Sequence, residues 1–200
     1  DALKLVVGQD VNGIDLVLTA PVFTDMTDTG PPPVNVGAWA TLDLDGAIGN
    51  QVQQTRTGVQ AEDEIRVAVY ASQTVNLIGY TVHLAYDTTQ VVFKRVDEHG
   101  GDEEKSLLFS SGGSAVFIRT PPQDGRAELA GAILGPTQET TPSGDGLLGV
   151  FRFVAREGFS EANFGIARLI LQSGGTQDTV LVGGKAVVSS ASGGHSGIGP

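Results

Sequence analysis

The feature that most constrains this chain is an apolar/polar alternation with a period of two, repeated in short segments that glycine, proline, aspartate and serine interrupt. Ile65, Val67, Val69 and Ala71 fall on one side of such a segment, with Arg66, Ala68 and Tyr70 on the other. Tyr80, Val82, Leu84 and Tyr86 alternate with Thr81, His83 and Ala85 in the same way, and Phe151 and Phe153 flank Arg152. Ile166, Leu169 and Leu171 follow the pattern less cleanly. A pleated strand sends successive side chains to opposite faces, so this period identifies half-buried strands. No stretch of a dozen residues carries a convincing helical period. Strand candidates lie at residues 39–44, 65–71, 79–86, 91–96, 115–119, 127–134, 147–155, 164–171, 179–182 and 185–189. Such spacing, with turn residues between, is that of a sandwich. The expected fold is all-β, a two-sheet antiparallel sandwich of jelly-roll type with an N-terminal strand extension.

Length and punctuation divide the chain. Two hundred residues, 40% of them hydrophobic, bury one large core, and a second complete domain is not expected. Residues 3–7 and 14–19 are strand-like, with Asn12 and Gly13 between them as turn formers. After Pro21 the composition shifts to Thr, Asp and Gly and ends in Pro31, Pro32 and Pro33, an extended spacer that no central strand tolerates. The expected organisation is an N-terminal strand segment and Pro-rich linker at 1–37, a sandwich at 38–190 and a Gly/Ser tail at 191–200.

Several function classes are excluded. The chain has no cysteine, hence no disulfide framework, thiolate metal site or cysteine nucleophile. A net charge of −11 without a basic cluster repels phosphate backbones, so nucleic acid is not an expected partner. No apolar run is long enough to span a membrane as a helix. The chain opens at Asp1 without a basic and apolar leader, which fits either a cytosolic protein or a mature, processed one.

Three stretches, in order, resemble the cohesin family of bacterial surface scaffolds. The first is 61–71, a loop leading into an alternating strand. The second is Gly79-Tyr80-Thr81-Val82-His83-Leu84-Ala85-Tyr86-Asp87 followed by Val91-Val92-Phe93, similar to the family's Gly-aromatic-x-apolar-x-Leu-x-Tyr-Asp and its Leu-x-Phe continuation. The third is Gly146-Leu147-Leu148-Gly149-Val150-Phe151-Arg152-Phe153-Val154. The resemblance covers about residues 38–190. It implies a secreted, non-enzymatic sandwich at an extracellular or cell-surface location, and it assigns no binding residues, because the family's recognition surface varies. Tyr86-Asp87 also has a purely structural reading: Tyr86 caps the core and Asp87 opens a turn by accepting a hydrogen bond from the backbone two residues on. The stretch 8–19 is similar to the closing strand of the small carboxypeptidase-regulatory-like sandwiches.

Chemistry-bearing residues are sparse. His83, His99 and His195 sit on a strand, in an acidic loop and in the tail, and no Gly-x-Ser-x-Gly elbow accompanies them. His83 reads as a solvent-facing strand residue. Asp43-Leu44-Asp45-Gly46 is a fragment of a loop-type calcium site, with Asp43 and Asp45 as ligands; the competing reading is a solvated face. No cofactor is required, and calcium is the one metal the residues suggest. Trp39 is the only candidate platform for a sugar ring, and beside the proline run it reads as a core or interface anchor.

Two functions follow as expectations. The first is an extracellular structural or adhesive protein, self-associating head to tail into a filament by donating an N-terminal strand to a neighbour's sheet edge. Leu3, Leu5, Val7, Ile14, Leu16 and Leu18 would then fill the acceptor. Whether that segment acts within its own chain or on another is open. The alternative is a monomeric cohesin-like module that binds a dockerin-like protein or a glycan. Neither is an enzyme; a hydrolase ranks last, since the carboxylates are scattered.

Overall fold

A computed structural model describes residues 34–100, 104–110, 112–137, 139–182 and 184–191. The N-terminal segment with Leu3, Leu5, Val7, Ile14, Leu16 and Leu18 lies outside the described residues, as does His195. The described part carries strands β1 (Trp39–Asp43), β2 (Thr55–Arg56), β3 (Glu64–Thr74), β4 (Gly79–Tyr86), β5 (Val91–Asp97), β6 (Ser114–Gln123), β7 (Arg126–Leu134), β8 (Gly144–Ala155), β9 (Glu161–Ser173), β10 (Thr176–Thr179), β11 (Leu181–Val182) and β12 (Lys185–Ser189). A single 3-10 turn spans Leu107–Phe109. Sheet A has the order β11-β1-β3-β8-β5, and sheet B the order β2-β12-β9-β4-β7-β6 with β10 also paired to β9. The expected two-sheet all-β architecture is observed. Its pairing is antiparallel except at β1 with β11 and β2 with β12, which run parallel.

The core lies between the sheets, where the alternation places it. Ile65, Val67, Val69 and Ala71 of β3 face Val82 and Leu84 of β4 and Leu169 and Leu171 of β9 within one buried cluster. At one end Phe153 packs its ring against Tyr86, Phe93 and Phe164, with centroids 4.9, 5.7 and 4.9 Å away. Tyr86 thus caps the core, and the Thr89 amide donates to Asp87 Oδ1 at 2.8 Å, as the turn reading anticipates. Tyr80 crosses between sheets by donating its hydroxyl to the Leu148 carbonyl, and burial pushes that phenol's pKa well up.

Packing of the sandwich begins upstream of residue 38. Asn35 is buried, donates through Nδ2 to Ser173 Oγ at 2.9 Å and accepts from the Val75 amide at 2.8 Å, while Asp178 Oδ2 accepts from the Val34 and Asn35 amides. These contacts stitch the entry of β1 to the β9–β10 hairpin.

A charged row crosses the edge of sheet A. Arg152 donates to Asp97 at 2.9 Å and to Glu64 at 2.5 Å, and Arg95 donates to the same Asp97 oxygen at 3.0 Å. Burial pushes the Asp97 carboxyl up, but the hydrogen bonds from Arg95 and Arg152 outweigh it and hold the group below the usual carboxylate range. A carboxyl depressed in the folded state contributes stability that is present above its unfolded pKa and is lost as pH falls through the folded value. Melting temperature is therefore expected to drop from about pH 4 downward, and Asp97→Asn to flatten that slope; calorimetry across this range checks it.

Candidate functional site

The outer faces of the two sheets differ. On sheet A, β3 is buried on both sides: Arg66, Ala68 and Tyr70, which the alternation assigns to the opposite face from the core, are themselves inaccessible, with Leu147 and Val150 beside them. Two loops tied across this face supply the second cover. The loop after β1 turns back on Asp43, whose carboxylate is fully buried and accepts from the Asp45 amide at 2.8 Å and the Gln51 amide at 2.5 Å. Asn50 Nδ2 adds a bond to Thr41 Oγ1 at 2.9 Å. The loop after β5 contributes Glu104, which accepts from Tyr70 at 2.6 Å and from the Gly49 amide at 3.0 Å and pairs with Arg66 at 3.6 Å. Burial, then the bond to Glu104, pushes the Tyr70 phenol up.

Asp43 therefore differs from the solvated-face reading. It is an internal acceptor that shapes the loop, while Asp45 lies past the end of β1 and accepts from the Ala47 amide at 2.8 Å. Both Asp43 oxygens already hold backbone donors. Among the described residues no group of three His, Cys, Asp or Glu side chains is arranged to hold a metal ion.

On sheet B the outer face is open, and strand register arranges its side chains in rows. Ile118 of β6, Ala130 of β7, Thr81 of β4 and Ile170 of β9 are successive partners in one row. Val116, Ala132, Gly79 and Gln172 form the row on one side of it. Ile118 is 65% exposed, and Val116 and Leu134 are also open to solvent. Small residues in the middle strands and larger ones at the flanks leave a shallow hollow of about 210 Å³, lined by Val116, Ile118, Ala130, Ala132, Ile170 and Gln177 among others. Gly131 lets the edge strand close beneath it, since a Cβ there would lie 2.9 Å from both Leu108 and Phe117.

The row on the other side is polar. Thr120, Glu128, His83 and Arg168 are successive partners, and His83 Nδ1 lies 3.5 Å from a Glu128 oxygen. A second hollow of 440 Å³ opens here, lined by His83, Thr120, Gln123, Asp124, Arg126 and Glu128 among others. His83 is a partly exposed strand residue on the outer face, as its position in the alternation predicts. His99 stacks on Phe109 with centroids 5.5 Å apart, far in sequence and role from any triad. One face thus joins an apolar half to a charged half, the composition of a protein contact surface with an apolar centre and a polar rim.

Comparison with solved structures gives the fold a precedent. The sixth cohesin of scaffoldin B from Acetivibrio cellulolyticus, solved in complex with a Cel5 dockerin mutant, superposes with a TM-score of 0.54 at 16% identity, covering 76% of this chain and 98% of that one. The fold is that of a cohesin. A type II cohesin domain from the cellulosome of the same organism gives 0.55 at 12% identity, covering 76% and 93%. A non-cellulosomal cohesin from the archaeon Archaeoglobus fulgidus gives 0.52 at 13%, covering 78% and 90%. No protein-family model matches the sequence, and no curated protein does. The cohesin likeness expected from residues 61–71, 79–93 and 146–154 is thereby observed at the level of fold. Of the open face of sheet B, sequence reasoning singled out His83 but not the apolar residues. Their signal was the unbroken apolar run Ala115-Val116-Phe117-Ile118, which equips both faces of β6 at an edge that has only one face in the core.

Proposed function

We propose that this chain is a protein-docking module that receives a dockerin-type partner on the outer face of sheet B, across β9, β4, β7 and β6. The observation that carries this is the pair of apolar rows centred on Ile118, Ala130 and Ile170, left open on a sandwich whose other sheet has its outer face largely roofed by its own loops. Support from relatives lies in the cohesin fold and in the dockerin bound by the scaffoldin B module. This reading calls for binding and not catalysis, at an extracellular or cell-surface location. Of the described residues, no helix is long and apolar enough to cross a membrane. Strand donation into a filament concerns residues 1–20, which lie outside the described part, and the comparisons support the binding module in its place.

The test is calorimetric titration of the full chain with a panel of recombinant dockerins. One or more is expected to bind, and Ile118→Asp to weaken that binding by at least about tenfold without changing the melting temperature, because a charge at the centre of an apolar contact is desolvated without a partner. Val92→Asp, on sheet A, is expected to leave it unchanged. Absence of binding across the panel, or full affinity in Ile118→Asp, overturns the proposal.

A further inference from the structure

The roof over sheet A stops short of one end, and the cleft it leaves has no part in docking on sheet B. Trp39, the only tryptophan in the chain, opens β1 and is 38% exposed. Its register partner on β3 is Ser72, and both line a cleft of 440 Å³ with Asn50, Glu104, Lys105 and Asp145.

The chemistry of this lining is specific. Ser72 is only 8% exposed, and it lines the wall of the cleft. A serine hydroxyl both donates and accepts, so at the wall of a cleft it can bond the hydroxyl of a ligand. Asp145 accepts from the Gln73 amide through Oδ1 and keeps Oδ2 free, while the Lys105 ammonium makes no ion pair among the described residues. Glu104 is paired with Arg66, and Asp145 and Lys105 bring one charge of each sign to the lining, so the cleft offers both donors and acceptors. A phosphate or a peptide carboxylate has no excess cation to meet here.

We infer that this cleft is a second binding site and that its ligand is a pyranose unit of a neutral polysaccharide. A sugar ring has one apolar C–H face, suited to an indole, and a rim of hydroxyls that donate and accept at once. Trp39 supplies the first surface, and Ser72, Asp145 and Lys105 supply the second. Stacking on a partly exposed aromatic, with a few hydrogen bonds exchanged against water, sets an affinity in the millimolar to high-micromolar range, on the order of 4–6 kcal/mol. Placed on the opposite sheet from the docking face, the site would hold polysaccharide and protein partner simultaneously.

Because Trp39 is the sole indole, its fluorescence reports on this cleft alone. The full chain is titrated with cellotetraose, xylotetraose and tetra-N-acetylchitotetraose, each to about 10 mM, well above the affinity such a site supports. A saturable shift of emission with one of them is expected. Calorimetry should then show at least about tenfold weaker binding in Trp39→Ala and a clear loss in Ser72→Val, with melting temperatures near the parent's. Ile118→Asp should bind the sugar normally, which separates this site from the docking face. Emission unchanged by all three sugars, or Trp39→Ala binding as tightly as the parent, overturns the inference.

Discussion

Phe153→Ala is expected to destabilise the sandwich by about 3–5 kcal/mol, read as a shift in the midpoint of urea unfolding with an unchanged slope. Phe153 is fully buried on the inner face of β8 and is the hub of the aromatic cluster, touching Tyr86 of β4, Phe93 of β5 and Phe164 of β9. Those neighbours belong to both sheets. Truncation therefore removes the transfer free energy of a phenyl ring and also leaves a void that four strands would have to move together to fill. Phe153→Leu keeps most of the volume and is expected to cost about half as much. Equal losses for the two variants would show that the cluster relaxes freely, contrary to the packing described.

The second large effect belongs to a polar residue. Glu104 joins the two loops to the outer face of sheet A, accepting from Tyr70 and the Gly49 amide with one oxygen and meeting Arg66 with the other. Only 11% of each side chain in the Glu104–Arg66 pair is exposed. Arg66 also donates to the Asp45 carbonyl, but its Nε and Nη2 have no hydrogen-bond partner among the described residues, so the carboxylate is what balances its charge. Removing one member of a buried pair strands the other, which costs about 3–5 kcal/mol. Glu104→Ala is expected to lose that much and to release the Gly49 amide to rapid hydrogen exchange. Glu104→Gln keeps an acceptor for Tyr70 and Gly49 while giving up the charge, and an intermediate loss is expected. If Glu104→Ala unfolds at the parental midpoint, the loops are held by other contacts.

How far the sequence was legible follows from particular strands. Residues 79–86 match β4 end to end, because alternation, an opening glycine and the Asp87 turn all agree there. β9 was harder to read because its phase changes midway: Ala162, Phe164 and Ile166 face the core, and then Leu169, Leu171 and Ser173 do. The register shift opposite His83 and Leu84 inserts one extra residue, Ala167, and a bulge of this kind moves every later side chain to the other face. β2, two residues in a stretch of Gln, Thr and Arg, carries no apolar signal, and its place comes only from pairing with β12. Alternation also could not reveal that β3 is covered on both faces. That depends on Asp43 and Glu104 recruiting loops from elsewhere, a tertiary effect with no local period. The open apolar face of sheet B was hidden for a related reason: outward apolar residues in β6 look the same in sequence as inward ones.

The parallel pairing of β1 with β11 bears on how the module responds to load. The entry strand of the sandwich and a strand close to its exit lie side by side and point the same way, Trp39 beside Leu181 and Ala40 beside Val182. Tension applied at the two ends pulls such neighbours in opposite directions along their length, so the bonds between them are sheared together and cannot be opened one at a time. β12 is likewise parallel to β2, while it runs antiparallel to β9. Parallel pairing of this kind is expected to resist tension between the two ends of the sandwich better than a pair that opens one bond at a time.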